Sequence, residues 1–248
     1  MDATGEDRLL NGCIRLRQAP DGYRAGLDAA LLAAACDAAP GTRVLEVGCG
    51  VGGALLPAAV RQAGASFVGL ERDPSAVDMA RGNVALNNLA ARVEILQGDV
   101  ALGFKVLDRP VFDAVLANPP YFDDPSALRA PAPAKRGAWM ADGGLAAWTA
   151  FMLKAVREGG TLTLIHRADR LADILALLAP KAGSFQVRPI HAHADADAPA
   201  KRVIVRARKT GKAPLILLPP LVLHPRDGAK HTPEAEAILR GEAALTWL

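Results

Sequence analysis

Short apolar runs alternate with longer mixed segments along most of this 248-residue chain. The segments between the runs predict helices, one of which begins near Pro74 with Asp73 as its N-cap. Repeated strand–helix units favour a doubly wound α/β fold with a parallel sheet. The apolar runs predict buried strands at 43–47, 66–70, 91–97, 112–117 and 160–165.

The two ends of the chain modify this regular pattern. Residues 12–18 alternate apolar and polar positions, which predicts a short strand, and an alanine-rich helix is expected over about 27–39. Towards the other end, SFQVRPI and KRVIVRARK predict a closing antiparallel pair of strands. We expect a single domain over 1–248, made of an N-terminal hairpin and helix (1–40), a Rossmann-like core (41–210) and a C-terminal extension (211–248).

Composition narrows the possible classes of protein. Hydrophobic residues make up 51% of the chain and aromatic residues only 4%, and the abundance of alanine favours helices packed closely on a sheet. No apolar run approaches the roughly 20 residues of a membrane-spanning helix, so no membrane partner is expected. The acidic start of the chain does not resemble a signal peptide, and three widely spaced cysteines suit a reducing cytoplasm. The sequence leaves the oligomeric state open.

A glycine-rich loop follows the first core strand and precedes a predicted helix. Glycine allows a tight turn and close approach of a ligand to the backbone. Gly48, Gly50 and Gly53 fit the G-x-G-x-x-G pattern of dinucleotide-binding loops. Glu46, Gly48, Gly50 and Gly52 fit an E-x-G-x-G-x-G loop for S-adenosylmethionine equally well. The loop alone therefore leaves NAD and S-adenosylmethionine open.

Two acidic residues follow the next two strands. Glu71 ends the second core strand, where a carboxylate can accept hydrogen bonds from both ribose hydroxyls of a nucleoside cofactor. Asp99, in the segment QGDV, ends the third strand, and its carboxylate could accept a hydrogen bond from an adenine amino group. Ligands of open α/β sheets bind at the carboxyl ends of the strands, so both residues are candidates for cofactor binding.

The segment Asn118-Pro119-Pro120-Tyr121 follows the fourth core strand. The two prolines remove two backbone donors, fix two φ angles and keep the preceding residues out of the helical region. The Asn118 side-chain oxygen and the Pro119 carbonyl could then accept both hydrogens of one planar amino group, and Tyr121 offers a face on which a planar substrate can stack. The segment therefore predicts a site for methylation of an exocyclic amine, in which positioning and electrostatics supply the acceleration.

The motifs VLEVGCGVG, GLERDPSAVDMARGN, QGDV and ANPPYF together resemble those of class I S-adenosylmethionine-dependent methyltransferases, and more narrowly of the N-P-P-Y amino methyltransferases. The segments GYRAGLDAALLAA, AKRVIVRARK and LHPRDGAKHTPEAEAILRGE are similar to the subgroup that methylates adenine N6 in a valine tRNA, next to the anticodon. The resemblance implies a seven-stranded Rossmann-like sheet with antiparallel C-terminal strands, S-adenosyl-L-methionine as cofactor and RNA, most specifically tRNA, as substrate.

The resemblance also implies roles for individual residues. The catalytic residues would be Asn118, Pro119, Pro120 and Tyr121. The cofactor-binding residues would be Glu46, Gly48, Cys49, Gly50, Gly52, Glu71, Arg72, Asp99, Val100 and Asp28. Related N-P-P-Y enzymes methylate a glutamine side chain in release factors or guanine N2 in rRNA, and both activities remain alternatives. A NAD-dependent oxidoreductase is a more distant alternative.

Basic residues cluster around the predicted strand 202–209. They could form a rim that follows RNA phosphates, or they could be the solvated charges that protect an edge strand from aggregation. The net charge of +3 allows either interpretation. Trp148 is expected in the core, and His191 and His193 lack the further ligands that a metal site requires. The rim would comprise Lys135, Arg136, Lys201, Arg202, Arg206, Arg208, Lys209, Arg226 and Lys230.

Overall fold

The computed structural model describes residues 5–19, 25–107, 109–121, 144–194, 198–226 and 228–248. Its strands are β1 (Gly5–Leu9), β2 (Ile14–Gln18), β3 (Arg43–Val47), β4 (Ser66–Glu71), β5 (Val93–Gln97), β6 (Phe112–Ala117), β7 (Val156–Arg167), β8 (Ala182–His193), β9 (Arg202–Lys209), β10 (Ile216–Leu217) and β11 (Leu221–His224). Its α-helices are α1 (Leu27–Ala34), α2 (Leu55–Arg61), α3 (Pro74–Leu86), α4 (Gly144–Ala155), α5 (Leu171–Leu178) and α6 (Pro233–Arg240). None of the described helices is long and apolar enough to cross a membrane.

The central sheet confirms the predicted Rossmann-like α/β fold. Its strand order is β10-β8-β9-β7-β6-β3-β4-β5, and β11 also pairs with β8. The expected count of seven strands was wrong, because the described part of the sheet has nine. The strands β3 to β9 form the expected seven. The outer edge of the twelve-residue strand β8 is long enough to pair with both β10 and β11, which satisfies backbone groups that an edge strand would leave unpaired.

The strand β9 runs against its neighbours. It pairs antiparallel with both β7 and β8, which confirms the predicted antiparallel pair of β8 and β9. However, β8 runs in the same direction as β7, so β9 alone is reversed among the described strands of the sheet. In the register of β7 and β9, Arg202 lies opposite Arg167 and Arg208 lies opposite Thr161. The start of β9 therefore lies at the carboxyl edge of the parallel strands, and its end lies at the opposite edge.

Helices cover both faces of the sheet. One apolar cluster joins Leu31 of α1, Leu55 of α2 and Val77 of α3 to one face. A second cluster joins Phe151 of α4 and Ile174 of α5 to the other face. Fully buried alanines in the helices of the first layer let those helices approach one another closely.

The two chain ends close over the first of these layers. The strands β1 and β2 form a hairpin, and the buried Asn83 side chain of α3 accepts from the Arg17 N–H and donates to the Arg17 carbonyl. The helix α1 ends at Ala34, earlier than the predicted position 39. The Ala34 carbonyl accepts from the Leu245 N–H, and Trp247 Nε1 donates to the neighbouring Ala35 carbonyl. The C-terminal segment thus satisfies carbonyls that a helix end leaves free.

Candidate functional site

The register of the parallel strands brings the predicted motifs together. Val47 of β3 pairs with the last apolar residues of β4 on one side and of β6 on the other. The residues next in line on these three strands are Gly48, Glu71 and Asn118. Neighbouring strands lie about 4.8 Å apart, so the three positions span roughly 10 Å at the carboxyl edge. The glycine loop, the first acidic residue and the Asn-Pro-Pro-Tyr segment therefore form one site.

The glycine loop has a backbone that glycine adopts readily. Gly48, Gly50 and Gly52 have φ angles of +68°, +54° and +94°, in the left-handed region. A Cβ atom on Gly53 would lie 2.1 Å from the Cβ of Ala25, so glycine at that position lets the segment before α1 pack against the loop. Cys49 is buried, and its Sγ occupies the space that a side chain on Gly69 of β4 would need. The loop is thus packed firmly between α1 and β4.

The Glu71 carboxylate is fixed by three backbone N–H groups. Gly50 donates to Oε2 at 2.9 Å, and Arg72 and Asp73 donate to Oε1 at 2.8 and 2.9 Å. Arg72 therefore contributes its main-chain N–H to this arrangement. A carboxylate has about four acceptor positions, so Glu71 keeps capacity for hydroxyl donors of a ligand.

The other acidic residues differ in their surroundings. Glu46 is 3% exposed, and it accepts a hydrogen bond from the Leu55 backbone, while its Oε2 has no hydrogen-bond partner among the described residues. Burial, together with the charge of Glu71, raises the pKa of Glu46 well above its ordinary value. Asp99 is partly exposed and accepts from the Ala101 N–H at 2.9 Å, next to the buried Val100. Of these acids, Glu46 is therefore the one with a buried oxygen that a ligand could pair with.

The Asn-Pro-Pro-Tyr segment leads from β6 to a polar cluster. The Tyr121 hydroxyl donates to Oδ2 of Asp28 at 2.7 Å, and Oδ1 of Asp28 lies 2.5 Å from Nε of Arg202. The ring centroids of Tyr121 and His166 lie 5.0 Å apart. Burial, followed by the neighbouring Asp28, raises the pKa of Tyr121. Asp28 was predicted to bind the cofactor, and in the structure it contacts the tyrosine of the Asn-Pro-Pro-Tyr segment.

Residues 24–130 match the family model of the methyltransferase small domain. Over this segment the chain is similar to the methyltransferase small domain. Two curated relatives carry the name tRNA1(Val) (adenine(37)-N6)-methyltransferase, one from Phocaeicola vulgatus and one from Bacteroides thetaiotaomicron. They are 34% and 35% identical to this chain over 101 and 102 residues, which are 41% of this chain and 42% of each relative. The chain thus spans about two fifths of the length of these relatives.

Solved structures resemble this chain over more of its length. A predicted O-methyltransferase from Agrobacterium tumefaciens is 28% identical, has a TM-score of 0.72, and matches 88% of this chain and 98% of its own. A P. horikoshii protein solved in complex with MeSAdo is 15% identical, with a TM-score of 0.53 over 84% of this chain and 72% of its own. The second likeness supports the fold alone.

S-adenosylmethionine is the cofactor of such methyltransferases, which decides between the two cofactors that the glycine loop left open. The residues present fit this group. S-adenosylmethionine carries an ammonium group and two ribose hydroxyls as donors, and the site offers the unpartnered Oε2 of Glu46 and the fixed carboxylate of Glu71 as acceptors. Gly50 leaves the loop backbone open to close contact, because no atom lies within 4 Å of a Cβ added there.

Three residues of the site carry roles that the sequence analysis missed. Trp148 of α4 is a core residue, as predicted, but it also packs directly on Gly48. His166, the last residue but one of β7, lies beside the Asn-Pro-Pro-Tyr segment and is fully buried. Arg202 was counted among the basic rim residues, whereas it pairs with Asp28. The one available signal was the position of each polar residue at a strand boundary: His166 follows a predicted strand, and Arg202 begins one.

The basic residues of β9 divide into two groups. Arg206 pairs with Asp37 at 2.9 Å, Lys209 lies 3.2 Å from Glu158, and Arg208 donates to the Gly159 carbonyl. These three residues lie on the part of β9 that is further from the carboxyl edge. At the carboxyl edge, Lys201 and Lys230 are exposed. Lys135 and Arg136 lie outside the described residues.

The rings of His193, His224 and His231 lie next to one another. The ring of His224 lies 5.3 Å from that of His193 and 5.5 Å from that of His231, and His231 Nδ1 lies 2.8 Å from an oxygen of Glu236. Across the described ranges, no group of three or more histidine, cysteine, aspartate or glutamate side chains is arranged to hold a metal ion.

Proposed function

We propose that this methyltransferase domain transfers the methyl group of S-adenosylmethionine to an exocyclic amino group of RNA, and that the target is adenine N6 in a tRNA. The observation that carries the proposal is the position of Asn118 at the end of β6, next in line to Gly48 of the glycine loop. An amine held by Asn118 and Pro119 would lie beside the loop against which the cofactor binds.

The chemistry of amine methylation suits this segment. The lone pair of an exocyclic amine is delocalised into its ring, so the nitrogen is a poor nucleophile until its hydrogens are held out of the ring plane. The Asn118 side-chain oxygen and the Pro119 carbonyl would accept those two hydrogens, and Tyr121 would stack against the ring. When bound, S-adenosylmethionine supplies a methyl group on a sulfonium, which is a good leaving group. The chain therefore needs acceptors and a stacking surface rather than a strong base.

Two further observations support RNA as the substrate. The curated relatives that match this chain carry names that specify adenine N6 of a tRNA. The exposed Lys201 and Lys230 at the carboxyl edge could neutralise RNA phosphates. A base inside a duplex or stem would have to be flipped out to reach Tyr121.

Mass spectrometry of nucleosides can test the proposal directly. The full chain is incubated with total tRNA and S-adenosylmethionine carrying an isotope-labelled methyl group, and we expect label in N6-methyladenosine. Label in guanosine, in a protein glutamine or on a ribose or other hydroxyl would contradict the proposed target. The hydroxyl outcome would agree with the name of the Agrobacterium tumefaciens protein, a predicted O-methyltransferase.

Variants of Asn118 can test the amine-binding role. Asn118→Ala removes the side-chain acceptor, so we expect the transfer rate to fall by about 10²–10³-fold, the usual loss for one such polar contact. Asn118→Asp keeps an acceptor in the same place and should retain measurable transfer. Calorimetry should give the same affinity for S-adenosylmethionine in both variants and the wild type. An Asn118→Ala variant with full activity would rule out this role.

A further inference from the structure

A partly buried hydrogen bond joins the Asn-Pro-Pro-Tyr segment to the first turn of α1. The Tyr121 hydroxyl donates to Asp28 Oδ2 at 2.7 Å, across a sequence separation of 93 residues. Asp28 is 9% exposed, so water offers little competition for this hydrogen bond. A hydrogen bond to a charged acceptor is roughly twice as strong as one between neutral groups. The hydroxyl end of Tyr121 is therefore held by α1.

Arg202 completes this arrangement, because it pairs with Asp28 and also interacts with the Tyr121 side chain. Its Nε lies 2.5 Å from Asp28 Oδ1. Arg202 is the first residue of β9, and the start of β9 lies at the carboxyl edge because that strand runs against its neighbours. The guanidinium compensates the charge that a buried carboxylate would otherwise carry alone. Asp28 thus has one oxygen directed to Arg202 and the other to Tyr121.

His166 limits the tyrosine from a third direction. Its ring is fully buried, and its centroid lies 5.0 Å from that of Tyr121, with a 59° angle between the ring planes. The pairing of Ala117 with Leu164 places the end of β7 level with the Asn-Pro-Pro-Tyr segment. With its hydroxyl fixed and His166 beside its ring, Tyr121 has little freedom to rotate.

We propose that the ion pair of Asp28 and Arg202 is a positioning device that holds the Tyr121 ring in the orientation used to stack on the substrate base. The proposal rests on the proposed function, because it assigns Tyr121 to the substrate. A side chain that is held in place before the substrate binds loses less entropy when the substrate binds. We therefore expect the positioning of Tyr121 to increase the rate of methyl transfer. Asp28 and Arg202 act through Tyr121 and are positioning residues.

The chain offers a spectroscopic test that does not depend on activity. It has two tyrosines, so Tyr23→Phe leaves Tyr121 as the single tyrosine, and its ionisation can be followed by ultraviolet absorbance during a pH titration. Asp28→Asn in this background removes a negative charge beside the hydroxyl, so Tyr121 should ionise at lower pH. Asp37→Asn is the matched control, because Asp37 pairs with Arg206 of the same strand. Equal titration curves for Asp28→Asn and Asp37→Asn would overturn the proposal.

Kinetics of labelled methyl transfer to tRNA provide the second test. Tyr121→Phe and Asp28→Asn should each lower kcat about tenfold, and the double variant should be no worse than either single variant, because both remove the same hydrogen bond. The KM for S-adenosylmethionine should not change, and Asp37→Asn should behave as wild type. Additive losses, or an Asp28→Asn effect confined to that KM, would contradict the proposal. If the wild type modifies no RNA, the proposed function fails while the titration still tests the contact.

Discussion

At the scale of single residues, Glu46 shows how binding chemistry and stability oppose each other. Its carboxylate is 3% exposed and lies close enough to Glu71 for the two charges to repel. One hydrogen bond, from the Leu55 backbone, favours the charged form, but burial outweighs it and raises the pKa of Glu46. Without a ligand, Glu46 therefore keeps its proton to a higher pH in the folded protein than in the unfolded chain.

The variant Glu46→Gln tests this conflict through the pH dependence of unfolding. The unfolded chain releases the Glu46 proton near pH 4.5, whereas the folded protein keeps it to higher pH, so wild-type stability should fall as pH rises above 4.5. Glutamine has no proton to release. We expect similar Tm values near pH 4 and a higher Tm for Glu46→Gln at neutral pH, without cofactor. Glu94→Gln, at an exposed position, controls for the lost charge, and a Tm difference independent of pH would contradict the prediction.

At the scale of elements, helix α4 supports the glycine loop through one contact. Trp148 is 7% exposed, and a Cβ atom added to Gly48 would lie 2.2 Å from its ring. Gly48 therefore combines two requirements, a left-handed backbone and space for the indole. The loop would shift if either were lost, and with it the backbone that faces the cofactor.

Substitution of Gly48 by alanine tests this packing. The positive φ of +68° and the overlap with Trp148 should together lower the free energy of unfolding by about 1–3 kcal/mol or more, and affinity for S-adenosylmethionine should fall. The control is Gly82→Ala, because Gly82 lies inside α3 with no atom within 4 Å of an added Cβ. That variant should gain about 0.5–1 kcal/mol. Denaturant unfolding measures both, and a Gly48→Ala variant as stable as wild type would contradict the prediction.

At the scale of the whole molecule, the direction of β9 determines which basic residues can contact a substrate at the site. Lys201 precedes β9 and lies at the carboxyl edge, where Lys230 also follows the end of β11. Further along the strand, Arg206 and Lys209 form ion pairs with Asp37 and Glu158. A net charge of +3 is modest, so local placement of charge would control RNA binding.

Charge reversal at the two edges of the sheet tests this arrangement. Lys201→Glu and Lys230→Glu should each weaken tRNA binding by about tenfold at low salt. Each should also lower the slope of log K against log salt concentration by about the amount expected for one phosphate contact. The control Lys181→Glu makes the same change in net charge just before β8, at the opposite edge. Fluorescence anisotropy at several salt concentrations measures all three affinities. Equal losses in the three variants would mean that net charge alone matters, and would contradict the prediction.

Local features of the fold and the site could be predicted from the sequence because their causes are local. The short apolar runs predicted the strands β3 to β7. Asp73 was predicted as the N-cap of α3, and its Oδ1 accepts from the Ser75 N–H at 2.8 Å. The glycine loop and the acidic residues at the strand ends needed only neighbouring residues and general chemistry to be recognised.

Tertiary structure alone decided which distant residues meet. The nine strands of the described sheet, the reversed β9 and the contact of Trp148 with Gly48 depend on strand order and register. Asp28, Tyr121 and Arg202 belong to three separate elements, and their periodicity and spacing carry no signal that they touch. A contact across 93 residues forms because the folded core compensates the entropy of closing so long a loop, and that compensation comes from the whole sheet.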